Sequence, residues 1–236
     1  NPGALTMLAE KMEEAIRESG IDTRKIVGAG IGMPGFIDFK NGINYSFLEC
    51  KNKTVAQFLS ERINLPVYID NDSSLIALAE HRFGAAGNHK NAMVINVGWG
   101  VGLGMVLNGE LFRGHNGFAG EFSHLPLFNN SRLCSCGKSG CLETETSLLV
   151  LIEKASSQLK TGRVSGIEKE FPTGHSEQDY EMIIDAAALG DQFAISLLSE
   201  VGYNIGRGVA ILIHLMNPES VVLSGRGSLA GKVLQA

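Results

Sequence analysis

The stretch GEFSHLPLFNNSRLCSCGKSGCLETE, residues 120–145, holds three of the chain's four cysteines. Cys134, Cys136 and Cys141 follow the pattern C-x-C-x4-C, and His124 precedes them. Three thiolates and one imidazole form a tetrahedral donor set that suits Zn²⁺, and a closed set of four protein ligands is structural rather than catalytic. The stretch therefore predicts a structural zinc site, although a disulfide pair or unligated buried thiols would use the same residues.

The composition is that of a globular chain. Its 236 residues are 44% apolar and 19% charged, and 29 glycines beside 6 prolines indicate turns and close backbone approaches. The formal charge of −5 argues against a broad nucleic-acid-binding surface, which needs clustered Lys and Arg. No apolar run approaches the ~20 residues that span a bilayer, and we expect no signal peptide. We therefore expect a cytoplasmic protein with no membrane partner and with reduced cysteines.

Hydrophobic periodicity predicts alternating helices and strands in the first part of the chain. Helical spacing from Leu5 to Ile16 is followed by a buried strand in KIVGAGIGMPG and a hairpin or loop around Asn41-Gly42. A short helix in VAQFLSERIN, a strand in LPVYIDND and a helix in SSLIALAEHRFG complete the pattern. This order predicts a layered α/β lobe over residues 1–91.

The pattern restarts at residue 92. A strand in AMVINVG precedes two short strands around Asn108-Gly109, and the zinc loop of about residues 120–145 follows. The chain is then helical apart from a polar section near residues 158–178, with its longest run in DQFAISLLSEVGYNIGRGVAILIHLMN and a last strand in SVVLSG. We expect a second α/β lobe over residues 92–236, related in plan to the first.

Three segments resemble the ROK family, whose name stands for repressors, open reading frames and kinases. GEFSH followed by CSCGKSGCLE is similar to the family's zinc signature, and IDNDSSLIALAEHRFG resembles its Asn-Asp motif and the following helix. MNPESVVLSGRG resembles a strand and turn near the family's C-terminus. The resemblance implies the two-lobed α/β fold of the sugar kinase/Hsp70/actin group, which is ribonuclease H-like, with an inserted structural zinc loop and a sugar and nucleotide cleft between the lobes.

The resemblance also implies roles for single residues. Asp72 matches the catalytic base that takes a proton from a sugar hydroxyl, and Asn71 matches a sugar-hydroxyl ligand. The other matches to sugar contacts are Gly35, Glu121, His124 and Glu143, and those to zinc ligands are His124, Cys134, Cys136 and Cys141. The residues alone leave simpler interpretations open, in which Asp72 caps a helix, Asn71 forms a turn, and both glutamates are solvated loop acids.

Elementary chemistry is consistent with these roles. Carboxylate and amide groups bind vicinal sugar hydroxyls through paired hydrogen bonds, and an aspartate at a strand end can act as a general base. His124 can bind zinc through one ring nitrogen and donate from the other to a ligand. Asp70, in contrast, is expected to be a surface or cap residue. The histidines without a motif around them are expected to be structural: His81, His89, His115 and His214.

Two departures from the kinase pattern bear on the function. ROK kinases carry a phosphate loop resembling G-T-G-x-G-x-G, and the matching segment here is GWGVGLG, residues 98–104. Trp99 replaces the small hydroxyl residue that hydrogen-bonds the transferring phosphate, and an indole offers one N–H, no hydroxyl and more bulk. Arg226 in SGRG interrupts a triple-glycine turn that lies near the adenosine in kinases. The turn itself is expected to persist through Gly98, Gly100 and Gly102.

We therefore predict the sugar-binding effector and dimerisation domain of a ROK transcriptional regulator, with a sugar or amino sugar as its ligand. A winged helix-turn-helix would precede residue 1 and contact DNA, and the family's final helices would follow residue 236. Sugar binding would change the relation between the subunits of a homodimer or homotetramer. The alternative is an ATP-dependent hexose kinase that uses Mg-ATP and Asp72 as base. A third possibility is a degenerate member that only binds a sugar or a protein.

Overall fold

The computed structural model describes residues 2–46, 48, 50 and 52–235 of the chain. Its strands are β1 (Ala29–Met33), β2 (Ile37–Asp38), β3 (Ile43–Asn44), β4 (Val67–Asn71), β5 (Ala92–Val97), β6 (Val101–Leu107), β7 (Glu110–Phe112) and β8 (Ser220–Ser224). Its helices are α1 (Pro2–Glu18), α2 (Val55–Ile63), α3 (Asp72–Phe83), α4 (Glu143–Thr146), α5 (Leu148–Lys160), α6 (Ser176–Ala188), α7 (Gln192–Met216) and α8 (Lys232–Gln235). The predicted order of helices and strands is therefore confirmed.

The first part of the chain forms a small parallel sheet and a hairpin. β1 pairs in parallel with β4, and β2 pairs with β3 in antiparallel register around the predicted Asn41-Gly42 turn. α2 begins with a reciprocal capping box between Thr54 and Gln57. Helices α1 and α2 pack together on this sheet through an apolar cluster that includes Leu5, Ala9, Val55, Leu59 and Ile69.

The strand predicted in KIVGAGIGMPG is shorter and more exposed than expected. Thr23–Lys25 form a 3-10 turn, the extended segment begins at Ala29, and only Met33 of the five β1 residues is buried. Two of the five are glycines, which have no side chain to bury, and β4 is the one strand paired with β1 in the described part of the chain. The prediction of a buried strand was wrong in this respect.

The second sheet has four strands in the order β7-β6-β5-β8. β6 is antiparallel to both of its neighbours, and β8 is parallel to β5. Alternate residues of β5 point to opposite faces, as in any strand. Met93 and Ile95 join the large core formed with α5, α6 and α7, whereas Ala92 and Val94 join a smaller cluster with Ala77 of α3. Both faces of the sheet are therefore covered by helices.

Glycines in β6 allow α3 to lie close against the second sheet. A Cβ atom at Gly104 would come within 2.3 Å of the Ala77 Cβ and 2.5 Å of the Ser73 backbone oxygen, and one at Gly102 would come within 2.0 Å of the Ser73 Oγ. α3 begins where β4 of the first sheet ends. This helix therefore joins the two sheets, and the division of the chain near residue 91 stays a prediction.

The long helix α7 packs closely at two of its three glycines. A Cβ atom at Gly202 would lie 2.0 Å from the Leu234 oxygen, and one at Gly208 would lie 2.5 Å from the Phe122 ring, whereas Gly206 has open space beside it. Asn217 ends the helix in a left-handed conformation. Within the described residues, no single helix has the length and apolar content of a membrane span. Helices α6 and α7 reach that length and apolar content only when taken together, and the pair is bent by 109°.

Candidate functional site

A cavity of about 820 Å³ lies between the two sheets. This volume is in the range of small-molecule sites. Its lining includes all the residues that the sequence indicated as sugar contacts or loop glycines, together with Trp99: Gly35, Asn71, Asp72, Gly98, Trp99, Gly100, Gly102, Glu121, His124 and Glu143. Segments far apart in the sequence thus meet in one place, while the individual roles of these residues stay predictions.

Asn71 and Asp72 stand where β4 passes into α3. Asn71 is the helix cap: its Oδ1 accepts from the Ser74 amide at 3.1 Å, and its Nδ2 donates to the Gly35 oxygen at 3.2 Å. Oδ1 of Asp72 accepts from the amide and the hydroxyl of Ser73 at 2.7 and 3.2 Å. Capping, considered earlier for Asp72, is therefore done by Asn71. Among the described residues no hydrogen bond reaches the Asp72 Oδ2, so this oxygen can accept one from a ligand.

Asp70 is neither a surface residue nor a helix cap. Its Oδ2 lies 2.6 Å from the Arg113 Nη2, its Oδ1 accepts from the Asn71 amide at 2.9 Å, and its side chain is 16% exposed. The expectation was wrong because the partner cation lies 43 residues further along the chain, outside any local pattern. Arg113 itself was not recognised from the sequence.

Glu121 and Glu143 approach the cavity from two different elements. Partial burial raises the pKa of Glu121, and the negative charge of Glu143 raises it further, while Lys138 opposes the shift. Glu143 is the first residue of α4, and its Oε2 accepts from the Val101 amide at 3.2 Å. The two carboxylates therefore sit in a structured wall of the cavity rather than in a loose loop.

The turn Phe122–His124 is anchored by the packing of Phe122 against α7. Phe122 is 3% exposed and fits against Gly208 of α7, where a Cβ atom would come within 2.5 Å of its ring. Its neighbours Glu121 and His124 line the cavity. Burial of the one apolar ring thus directs the two polar side chains to the ligand side of the turn.

Four side chains converge at the edge of the cavity in an arrangement that could hold a metal ion. The ligand atoms of His124, Cys134, Cys136 and Cys141 all lie within 4.8 Å of one another. The His124 Nδ1 is 3.4 Å from the Cys134 sulfur, and the sulfurs of Cys136 and Cys141 are 3.6 Å apart. A disulfide requires about 2.05 Å, so these thiols are free. Donors on one tetrahedral ion are separated by roughly such distances.

Glycines shape the backbone of this cluster. Gly140 has a φ of +73°, and a Cβ atom there would lie 1.9 Å from the Phe128 oxygen. Gly137 has a φ of +86°, and the turn that contains it is closed by a hydrogen bond from the Cys134 amide to the Lys138 oxygen at 2.8 Å. Positive φ favours glycine at both positions. The sequence thus builds a tight double turn that brings its cysteines together.

The cluster is connected to the cavity through His124. With Nδ1 on the sulfur side, its Nε2 lies 3.6 Å from the Glu121 Oε2, and its ring stacks near Phe36 with a centroid separation of 6.4 Å. Burial, together with the neighbouring thiols, raises the pKa of Cys141 to about 12. Metal ligation therefore requires this thiol to lose a proton.

Trp99 and Arg226 occupy the end of the cavity formed by the glycine loop. Trp99 is 36% exposed, and the Arg226 guanidinium carbon lies 5.9 Å from the centroid of its ring. The Arg226 Nη1 is also 2.5 Å from the Glu177 Oε1. A bulky aromatic ring and a cation are therefore present where the sequence departs from the kinase pattern.

An aromatic group in the lining of the cavity was not predicted from the sequence. The Phe118 ring meets Phe36 edge-on at 5.5 Å and Tyr45 edge-on at 6.1 Å, and all three residues line the cavity. The position of Phe118, directly before the Ala-Gly-Glu of the zinc signature, was the available signal. Aromatic faces of this kind pack against the apolar face of a ring-shaped ligand.

Comparison with known proteins indicates the family to which the chain belongs. The ROK family model matches residues 4–236. The xylose repressor of Caldicellulosiruptor bescii is 33% identical over 236 residues, which is 97% of this chain and 57% of the repressor. The chain spans about half the length of the curated repressors that it matches, between 48% and 57%.

Two solved structures share the α/β fold. A ROK family transcriptional regulator, described as a homologue of the E. coli MLC protein, aligns with a TM-score of 0.82 at 28% identity, over 98% of this chain and 58% of the regulator. A ROK family glucokinase from Streptomyces griseus, in complex with glucose and AMPPNP, aligns with a TM-score of 0.79 at 27% identity, over 96% of this chain and 75% of the kinase. Because the family model covers nearly the whole sequence and these folds agree with it, the chain belongs to the ROK family.

Proposed function

We propose that this chain is the sugar-binding effector domain of a ROK transcriptional regulator. The observation that carries the proposal is Trp99, which stands in the glycine loop at the cavity with Arg226 beside it. An indole in place of a small hydroxyl side chain removes the hydroxyl that would donate a hydrogen bond to the transferring phosphate. The indole also fills space that this phosphate needs. The similarity to the xylose repressor supports the same conclusion.

The ligand on this proposal is a sugar or amino sugar. Asn71, Asp72, Glu121 and Glu143 offer amide and carboxylate groups to its hydroxyls, and His124 can donate from Nε2. The aromatic wall of Phe36, Tyr45 and Phe118 would pack against the apolar face of the sugar ring. Binding would draw the two sheets toward the ligand, because these contacts come from both.

The metal at the Cys3His cluster is proposed to be Zn²⁺ in a structural role. Soft thiolates with one imidazole favour zinc over magnesium or calcium, and four protein ligands leave no open position. His124, Cys134, Cys136 and Cys141 would hold the ion. Its effect on function would be to fix the turn that carries Glu121 and the His124 Nε2.

The whole protein is proposed to act on DNA through a segment other than this one. A winged helix-turn-helix preceding residue 1 would make the contacts, which is consistent with the charge of −5 carried by this chain. We further propose lobes at residues 1–91 and 92–236, a homodimer or homotetramer, and a cytoplasmic location. Sugar binding would then act by shifting the population of subunit arrangements.

The second candidate function is an ATP-dependent sugar kinase. Asp72 lines the cavity beside Asn71 with one carboxylate oxygen available, which is the position a general base for a sugar hydroxyl requires. The similarity to a glucokinase structure supports it as well. On this alternative ATP and Mg²⁺ would bind at the glycine loop, and Trp99 would have to turn away from the phosphate.

A phosphoryl-transfer assay separates the two functions. We expect the purified full-length protein to form no sugar-dependent ADP with D-xylose, D-glucose, D-fructose or N-acetyl-D-glucosamine. The reason is that Trp99 lacks the hydroxyl that would donate a hydrogen bond to the transferring phosphate. We also expect at least one of these sugars to bind in isothermal titration calorimetry. Coupled ADP detection with Mg-ATP makes the first measurement.

The matched controls are Asp72→Asn and Asp185→Asn. Asp185 is an exposed residue of α6, away from the residues that line the cavity. ADP formation that depends on a sugar, disappears in Asp72→Asn and persists in Asp185→Asn would establish the kinase and overturn the regulator proposal. Absence of any sugar binding would contradict both functions.

A further inference from the structure

We propose that Arg113 is a positioning residue, which acts through Asp70 to fix the turn that presents Asn71 and Asp72 to the ligand. The proposal deepens the proposed function and rests on it for the nature of the ligand. Arg113 follows β7 of the second sheet, whereas Asp70 belongs to β4 of the first. One guanidinium therefore links the two sheets directly beside the cavity.

Among the described residues, Asp70 is the one anionic partner of Arg113. Its Nη2 donates to the Asp70 Oδ2 at 2.6 Å, and its guanidinium carbon lies 4.6 Å from the centroid of the Phe39 ring in the hairpin. Its Nε is buried and without a hydrogen-bond partner in the described part of the chain. Charge-assisted hydrogen bonds are stronger than neutral ones, and the stacked ring restricts the guanidinium further.

A series of hydrogen bonds runs from Arg113 to the predicted sugar contacts. Asp70 accepts from Arg113 with one carboxylate oxygen and from the Asn71 amide with the other, at 2.6 and 2.9 Å. Asn71 in turn caps α3 at the Ser74 amide and donates to the Gly35 oxygen. The orientation of Asp70 thus determines that of the Asn71 backbone, and with it the start of α3 where Asp72 stands.

The segment that follows Arg113 is docked on the same hairpin. A Cβ atom at Gly117 would lie 3.6 Å from the Phe39 ring, so the backbone there is close to the hairpin. Phe118 packs edge-on against Phe36 at 5.5 Å. Residues 113–120 therefore form a strap over the hairpin, with the ion pair at its first residue and the zinc signature at its end.

The strap leads directly into the other group of predicted sugar contacts. Glu121 and His124 follow it in the sequence and line the same cavity as Asn71 and Asp72. Arg113 therefore fixes the distance between the two groups as well as the orientation of one of them. A ligand that bonds both groups needs this distance to be right before it binds.

Removal of the guanidinium would also leave an uncompensated charge. Asp70 is 16% exposed, and its carboxylate stands two residues from that of Asp72. A partly buried carboxylate without a partner turns toward water, and this change releases the Asn71 amide. Neutralising both members of the pair should therefore be less harmful than removing the cation alone.

The experiment compares Arg113→Met, Asp70→Asn and the double variant with the wild-type full-length protein. The probe is whichever of D-xylose, D-glucose, D-fructose and N-acetyl-D-glucosamine binds the wild type most tightly in calorimetry. We expect Arg113→Met to weaken this binding about 10-fold or more. The fold loss of affinity in the double variant should be smaller than the product of the fold losses in the two single variants. Hydrogen–deuterium exchange without ligand should show faster exchange over residues 67–75 in Arg113→Met.

Arg62→Met is the matched control, because Arg62 forms an ion pair with Glu13 on the surface of α2, at 3.2 Å and 41% exposed. This variant should keep wild-type binding and exchange over residues 67–75. Unchanged affinity and exchange in Arg113→Met would overturn the proposal, as would strictly multiplicative losses. If Arg113→Met does not fold, Arg113→Lys tests the same contacts. A wild type that binds none of the four sugars contradicts the proposed function, while the exchange measurement still decides the role of Arg113.

Discussion

Replacing Cys141 by serine is expected to remove the metal ion and to lower the thermal unfolding midpoint by about 8–16 °C. The Cys141 side chain is fully buried within the Cys3His cluster, and a serine hydroxyl is a poor zinc ligand. Metal-binding free energy is part of the folding free energy, so loss of the ion should lower the free energy of unfolding by about 4 kcal/mol. In a domain of this size each kcal/mol corresponds to a shift of the midpoint by ~2–4 °C. Elemental analysis and thermal unfolding measure the two effects, with about one zinc per chain expected in the wild type.

The control is Cys50→Ser, at a half-buried cysteine that packs against the apolar cluster of the first sheet. It should retain the metal and lose only a small part of the stability. Sugar affinity should fall in Cys141→Ser, because the turn with Glu121 and His124 loses its anchor, and remain near the wild-type value in Cys50→Ser. A wild-type protein without metal and with freely reactive thiols, or a Cys141→Ser variant with full metal content, would overturn the zinc assignment.

Gly104→Ala is expected to lower the free energy of unfolding by about 3 kcal/mol, because the new methyl group forces α3 away from β6. The Cβ would lie 2.3 Å from the Ala77 Cβ and 2.5 Å from the Ser73 oxygen, and the latter is backbone that cannot rotate aside. Urea unfolding measures the change, which should appear in the midpoint with the slope unchanged. Sugar affinity should fall too, since the displaced helix begins with Asp72.

Gly30→Ala provides the comparison within another strand. Gly30 lies in β1, has no positive φ, and has no atom within 4 Å of a Cβ placed there. Its replacement should change the free energy of unfolding by less than about 1 kcal/mol. Equal stability of the two variants would contradict a close contact between α3 and β6.

Features carried by neighbouring residues were predictable from the sequence. The cysteine spacing identified the cluster, and apolar periodicity located α2, α3, β5 and α7. Asn41-Gly42 marked the hairpin, and Gly42 takes a positive φ of +69° in its turn. Family resemblance added the choice of Asn71, Asp72, Glu121 and Glu143, which the structure brings to one cavity.

Features that depend on distant partners could not be predicted in the same way. Asp70 looks like any acid at a strand end until Arg113 is placed beside it, and Arg113 looks like any cation after a short strand. The exposure of β1 depends on which strands flank it, and the grouping of Phe118 with Phe36 and Tyr45 depends on how the strap lies over the hairpin. Tertiary packing determines these features, and local sequence periodicity does not predict contacts between distant residues.

The contact between α3 and β6 bears on how glycine-rich motifs are interpreted across such sequences. Two glycines of GWGVGLG, Gly102 and Gly104, are required by the passage of a helix over a strand, whatever the adjacent loop binds. Selection for a foldable chain would therefore preserve both glycines whether or not the adjacent loop binds a nucleotide. A search for ATP-dependent enzymes based on glycine spacing alone would retrieve such proteins regardless of their activity.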